Sequence, residues 1–132
     1  MLLAAGRGQR LAPYTDRTPK PLIAVDGRPL LEYSLRNLRA AGVREVLLVI
    51  GYRGAQIRDH FADGRSLDLS LHYIDQQGIP GTGAATLLAE AFTNQEPFFL
   101  GWGDIIAARS EYQRLFDIFI KEQPDALMLI ER

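Results

Sequence analysis

Residues 30–50 read LLEYSLRNLRAAGVREVLLVI, and this stretch decides the fold class. Leu31, Leu35 and Leu38 recur at the spacing of one helix face. Gly42 stands just past them, where a left-handed residue would end the helix. Five apolar residues, 46–50, then run without a polar interruption. A strand reads this way when both faces of its sheet are covered by helices. A helix feeding such a strand is one unit of an α/β protein built on a mainly parallel central sheet.

Working outward, residues 2–5 read as a short first strand, and residues 23–25 lead into a turn at Asp26-Gly27. Residues 55–61 read as a second helix, with Ile57 and Phe61 four apart and a closing turn around Asp63 and Gly64. Leu67, Leu69, Leu71 and Tyr73 alternate with Asp68, Ser70 and His72, which predicts a strand with one exposed face, nearer a sheet edge. Residues 84–92 read as a helix, 98–100 as a strand, 111–122 as a helix with Leu115 and Phe119 inward, and 126–130 as a last strand. The sequence then stops at Glu131 and Arg132 with nothing to cover that strand's outer face. The expectation is a chain truncated at its C-terminus or completed by another surface.

The 132 residues, 47% hydrophobic and 23% charged, suit a single domain spanning 1–132 that buries about two-thirds of its unfolded surface. There is no cysteine, which removes disulfides and thiolate zinc sites and favours a cytoplasmic setting. A net charge of −1 lacks the basic excess of a nucleic-acid binder. No apolar run is long enough to span a bilayer, and the opening residues do not read as a signal peptide. Oligomeric state is left open by the sequence, self-association included.

In an open parallel sheet, ligands bind beyond the carboxyl ends of the strands. Three polar segments fall there: residues 6–10 after the first strand, 76–83 after the alternating strand, and 101–104 after the run at 98–100. Gly6 and Gly8 let backbone approach a phosphate and present successive amides to it, and Arg10 adds a charged fork. Taken alone, the glycines fit a tight turn equally well. No G-K-[ST] follows, so this is not a Walker A loop, and the third glycine of a dinucleotide fingerprint is missing. Lys20 lies between Pro19 and Pro21, which stiffen its loop; beside a phosphate, a pre-positioned cation is what developing charge requires. Alone, it is an exposed loop lysine. Asp104 follows two glycines at a strand end, where one carboxylate holds Mg²⁺ while phosphates supply other ligands; a strand-ending cap is the competing reading. Gln76 offers a donor and an acceptor to a base edge, and Gly81-Thr82-Gly83 opens a helix whose backbone lies against a flat ring; in isolation Gln76 or Gln77 is a solvated glutamine. His60 and His72 have no ligand company, and Tyr52 and Trp102 read as core or pocket wall.

Leu3-Ala4-Ala5-Gly6-Arg7-Gly8-Gln9-Arg10-Leu11, Pro13, Thr15 and Thr18-Pro19-Lys20-Pro21-Leu22 together resemble the signature of the sugar-1-phosphate nucleotidyltransferase family. The match runs on through Val25, Gly27, Pro29-Leu30-Leu31 and Tyr33 to Gly81-Thr82-Gly83 and Gly103-Asp104, so it covers nearly the whole chain. It looks most like the members that make UDP-N-acetylmuramate, GDP-mannose or GDP-heptose. The resemblance implies a Rossmann-like three-layer sandwich. It implies that Ala4, Ala5, Gly6, Gly8, Gln9 and Arg10 bind the nucleotide, the Gly6 to Arg10 loop wrapping the triphosphate, with Arg10 and Lys20 catalytic at the α-phosphate. It also implies that Gln76 and Gly81 contact the base, with Thr82 nucleotide-binding beside them, and that Asp104 is one of two metal-binding aspartates. The second aspartate and most sugar contacts belong to the family's C-terminal half, outside this sequence. Three departures stand out: a short first strand, Gln9 where threonine or serine is common, and Trp102 where a smaller or more polar residue is usual.

The expected reaction is attack by a sugar 1-phosphate on the α-phosphorus of a nucleoside triphosphate, giving a nucleoside diphosphate sugar and pyrophosphate, with no protein nucleophile. Two rivals are kept: a cytidylyltransferase using a non-sugar phosphate such as phosphocholine, and a non-catalytic nucleotide-binding domain.

Overall fold

The computed structural model describes residues 1–76 and 81–130. The remaining part of the polar segment 76–83, including Gln77, and the terminal Glu131 and Arg132 lie outside the described residues.

Four strands form one parallel sheet: β1 (Leu2–Ala4), β4 (Glu45–Ile50), β5 (Ser70–Asp75) and β6 (Gly101–Trp102), in the order β5-β4-β1-β6. A small antiparallel hairpin, β2 (Ala24–Val25) and β3 (Arg28–Pro29), turns at Asp26 and Gly27. Both turn residues have positive φ, 49° and 75°, the geometry of a tight two-residue hairpin turn. The helices are α1 (Leu30–Ala40), α2 (Gly54–Phe61), α3 (Thr82–Leu87), α4 (Glu90–Thr93) and α5 (Arg109–Glu122).

β4 organises the core because its side chains alternate between two apolar layers. Val46, Leu48 and Ile50 join Leu2 and Ala4 on the face covered by Leu31, Leu35 and Leu38 of α1, Ile57 and Phe61 of α2, and Tyr112 of α5. Leu47 and Val49 turn the other way, onto Met1 with Ala85 and Ala89. Residues 46–50 are all buried, at 4% exposure or less. The apolar run thus reflects helices on both faces, and the chain is the three-layer Rossmann-like sandwich expected.

Four local expectations need correction. Residues 84–92 are two short helices rather than one: the Ala89 N–H bonds the Thr86 carbonyl at 3.0 Å, a tightened turn that buries Ala89 completely against the sheet. The strand expected at 98–100 is instead Gly101–Trp102, since these residues are the ones in register with Leu2 and Leu3. Phe99 serves packing, with its ring 5.6 Å from Tyr112 and 5.9 Å from Phe116. The alternating strand begins only at Ser70, because Arg65–Leu67 is a 3-10 turn and Asp68 is left-handed at φ 56°. It does lie at the end of the described sheet. Residues 126–130 form no strand: a strand needs a ladder partner, none pairs with them among the described residues, and they are exposed. In α5 the buried residue is Tyr112, whose hydroxyl donates to Ser34 Oγ at 3.2 Å, while Leu115 and Phe119 are half-buried.

Candidate functional site

The chain leaves β1 at Ala4 and enters a loop whose shape is set by Gly8. That residue is left-handed, at φ 65°, and its carbonyl accepts the Leu11 N–H at 2.9 Å to start the 3-10 turn Gln9–Leu11. A Cβ at Gly8 would lie 3.0 Å from Lys20 Cβ and 3.2 Å from Thr15 Cγ2. Glycine is therefore favoured here by φ, and a Cβ would also make the Lys20 and Thr15 side chains yield by a few tenths of an ångström. Thr15 is 1% exposed, and its hydroxyl donates to the Gly8 carbonyl at 3.1 Å, so the loop is tied down from beneath. Gly6 differs, because a Cβ built there meets nothing within 4 Å among the described residues beyond its chain neighbours.

Lys20 opens the 3-10 turn Lys20–Leu22, with Pro19 extended before it and the Leu22 N–H bonded to the Pro19 carbonyl at 2.8 Å. Pro19 and Pro21 are buried, which fixes the lysine's backbone while its side chain stays partly open. On the neighbouring strand, the Gly103 N–H bonds the Leu3 carbonyl at 2.8 Å, and a Cβ on Gly103 would fall 2.9 Å from Leu31 Cδ1. This close approach carries β6 flush over α1 and delivers the next residue, Asp104, to the carboxyl end of the sheet. Lys20 Nζ and Asp104 Oδ2 meet there at 2.5 Å, each side chain 31% exposed. A pair this accessible contributes about 1 kcal/mol or less to stability. Its significance is that a cation and a carboxylate stand side by side at a sheet end.

Gln76 follows β5, with its amide N–H on the Ile50 carbonyl at 2.8 Å and its side-chain Nε2 donating to the Gly81 carbonyl at 3.2 Å. The glutamine thus links the end of β5 to the start of α3.

These segments enclose one cleft of about 610 Å³ at the carboxyl ends of β1, β5 and β6. Ala4, Ala5, Gly6, Gly8, Gln9 and Arg10 line one side, with Lys20 and Asp104 beside them; Gln76, Gly81 and Thr82 line the other. These eleven residues therefore border the same space; Gly83 is not among its lining, and Gln77 lies outside the described residues. Arg7, Pro21, Ala85 and Trp102 also line it. The charged lining, Arg7, Arg10 and Lys20 against Asp104, is three cations to one carboxylate and suits a polyanion. Trp102, 45% exposed, is pocket wall. His60 and His72 are exposed and do not line the cleft.

Sequence reasoning gave no supporting role to Thr15, Tyr52, Arg53 or Gln56. The Tyr52 hydroxyl donates to the Thr15 carbonyl at 3.0 Å, Arg53 Nη2 to the Asp16 carbonyl at 2.7 Å, and Gln56 Nε2 to the Arg17 carbonyl at 3.2 Å. Partners more than 35 residues apart leave no periodic trace in a sequence.

Residues 1–131 match the family model described as nucleotidyl transferase. An N-acetylmuramate alpha-1-phosphate uridylyltransferase of Neisseria meningitidis is 37% identical over 80% of this chain and 46% of its own length. A glucose-1-phosphate thymidylyltransferase of Streptomyces antibioticus is 34% identical over 79% of this chain and 29% of its own. A solved structure of UDP-glucose pyrophosphorylase complexed with UDP-glucose superposes with a TM-score of 0.80 at 25% identity, covering 92% of this chain and 52% of that one. The chain thus spans about half, or less, of the length of these relatives.

Proposed function

The chain belongs to the nucleotidyl transferase family, and from that premise we propose that the protein transfers a nucleoside monophosphate from a nucleoside triphosphate to a sugar 1-phosphate. A phosphate oxygen of the sugar phosphate attacks the α-phosphorus in line. The bond from the α-phosphorus to the bridging oxygen breaks, and pyrophosphate leaves with the electron pair. The products are a nucleoside diphosphate sugar and pyrophosphate. No side chain need become covalently attached, so the protein's task is to align two anions and offset their charge.

The observation that carries this reading is the meeting of Arg10, Lys20 and Asp104 at one cleft whose floor is glycine-rich backbone. The backbone of residues 6–10 would wrap the triphosphate, in the manner of an anion nest. Arg10 and Lys20 would meet the charge that develops at the α-phosphate. Gln76, Gly81 and Thr82, on the opposite side, would meet the base. Trp102 would lie between base and sugar.

Asp104 is the residue that would hold a divalent cation, which in our reading is Mg²⁺. It offers one hard oxygen donor set at the cleft, and the described residues contain no group of three or more His, Cys, Asp or Glu placed to hold a metal ion. That inventory fits a cation held jointly by one carboxylate and the substrate phosphates rather than by a protein cage. When bound, such an ion neutralises phosphate charge and steadies the leaving pyrophosphate. Lys20 would have to give up its direct contact with Asp104 and turn to the phosphates. We assign the protein to the cytoplasm, where nucleoside triphosphates are supplied; no described helix is long and apolar enough to cross a membrane. Self-association remains part of the reading only as a state to be measured.

The test is pyrophosphate release by the full-length protein from UTP, GTP, dTTP and CTP, each with sugar 1-phosphates and with phosphocholine, with Mg²⁺ and with chelator. Metal-dependent release with a sugar 1-phosphate is expected. Release with phosphocholine alone would move the assignment to a non-sugar cytidylyltransferase. Triphosphate binding without turnover by any acceptor would leave a non-catalytic nucleotide-binding domain.

A further inference from the structure

We propose that Tyr52 is a positioning residue for the triphosphate loop, holding the start and the end of residues 5–16 at a fixed separation. The inference rests on the proposed function, since it assigns the loop's rigidity to triphosphate binding. Tyr52 does not line the cleft, so it acts through other residues.

Its anchor is β4, whose last residue, Ile50, is completely buried two positions earlier. From there the Tyr52 backbone N–H bonds the Ala5 carbonyl at 3.0 Å, at the loop's entry. Its phenol donates to the Thr15 carbonyl at 3.0 Å and lies 3.3 Å from the Asp16 carbonyl, at the loop's exit. Thr15 in turn donates to the Gly8 carbonyl at 3.1 Å, so the tie continues to the residue that shapes the cleft floor.

The ring has a second use. The Arg7 guanidinium carbon lies 5.4 Å from its centroid and that of Arg53 lies 5.5 Å away. Arg7 lines the cleft, and a cation over an aromatic face is held there by the ring quadrupole. Arg53 completes the clamp: its Nε donates to the Tyr52 oxygen at 3.0 Å and its Nη2 to the Asp16 carbonyl at 2.7 Å. It does so from a left-handed backbone, φ 53°, that residues other than glycine seldom adopt. One tyrosine thus joins the entry, the exit and a cationic lining residue of the same loop.

The test separates phenol from ring. Tyr52→Phe keeps the ring and removes the phenol, with its bond to the Thr15 carbonyl and its contacts to the Asp16 carbonyl and Arg53 Nε; Tyr52→Leu removes ring and phenol alike. In the free protein, hydrogen exchange of the Leu11, Ala12 and Asp16 amides should quicken about three- to tenfold in Tyr52→Phe, the range set by one lost hydrogen bond. Amides of β4 and α1 should keep their wild-type rates. In turnover, with the triphosphate that supports it in wild type, KM for that triphosphate should rise by about the same factor while kcat stays within about twofold. Tyr52→Leu should raise KM further, because Arg7 loses its seat, and phenylalanine should rescue part of that loss. If Tyr52→Leu fails to fold, Tyr52→Phe alone decides. Loop exchange and KM unchanged in Tyr52→Phe, with an active wild type, overturn the positioning role and leave the proposed function standing. Faster loop exchange in a protein whose wild type neither binds UTP, GTP, dTTP or CTP nor turns over overturns both, since the clamp then positions nothing.

Discussion

The two walls of the cleft are held to different degrees. The wall of residues 5–21 is held by its own chain: Thr15 to Gly8, Tyr52 to Thr15, and Arg53 to Asp16. The wall of Gln76, Gly81, Thr82 and Trp102 carries the Gln76 tie to the Gly81 carbonyl and is more open, with Trp102 45% exposed and, among the described residues beyond its chain neighbours, nothing within 4 Å of where a Cβ on Gly81 would stand. Charge stabilisation is effective when donors are fixed before the reaction, whereas a flat ring is accommodated by exposed backbone and an apolar side chain. The held wall is accordingly the one assigned to phosphate, and the open wall the one assigned to base and sugar.

The contrast is sharpest at two glycines of one loop. Gly8 has positive φ and a tight fit for a Cβ, while Gly6 has open space before it among the described residues. Gly8 is glycine for the fold, and Gly6 is free to be glycine for the ligand.

The largest expected effect lies on the held wall. Lys20→Ala should lower turnover by about a hundredfold or more. Its thermal unfolding should stay close to wild type, since a pair exposed to 31% contributes about 1 kcal/mol or less. Pyrophosphate release and calorimetry check the two halves, and Arg10→Ala should behave alike in rate. Next, Gly8→Ala should lose about 1–3 kcal/mol of stability, the cost of a strained backbone conformation, and a denaturant titration reads it directly. A change below about 0.5 kcal/mol would erase the distinction between the glycines. Gly6→Ala should leave stability within about 0.5 kcal/mol and weaken triphosphate binding by about tenfold, as one lost backbone contact of about 1.4 kcal/mol would. Titration calorimetry distinguishes these outcomes, and unaltered affinity would take Gly6 out of the site. The smallest effect belongs to the open wall: Trp102→Ala should preserve stability and change the relative use of sugar phosphates by only a few-fold, about 1 kcal/mol. A loss as large as that of Lys20→Ala would mean that the open wall carries catalysis too.

Much of this arrangement was legible from sequence because it is written in local patterns. The buried run at 46–50 announced helices on both sheet faces, Asp26-Gly27 announced its turn, and polar segments after three of the strands announced a shared cleft at one end of the sheet. What was not legible depends on distant partners. Residues 126–130 have a strand's composition, but composition supplies no ladder neighbour. The register that makes Gly101–Trp102 the paired segment is set by a three-residue strand a hundred positions earlier. Thr15 and Tyr52 read as ordinary loop and wall residues because their partners are backbone carbonyls, which every residue carries.

The central claim is that the held wall grips a triphosphate. A crystal structure of the protein with Mg²⁺ and the triphosphate that supports turnover tests it most directly. The account predicts phosphates against the amides of residues 6–10 with Arg10 and Lys20 in contact, the ion on Asp104, and the base beside Gln76 and Gly81. Phosphates bound at the Gly81 wall, or a nucleotide seated away from this cleft, would contradict it.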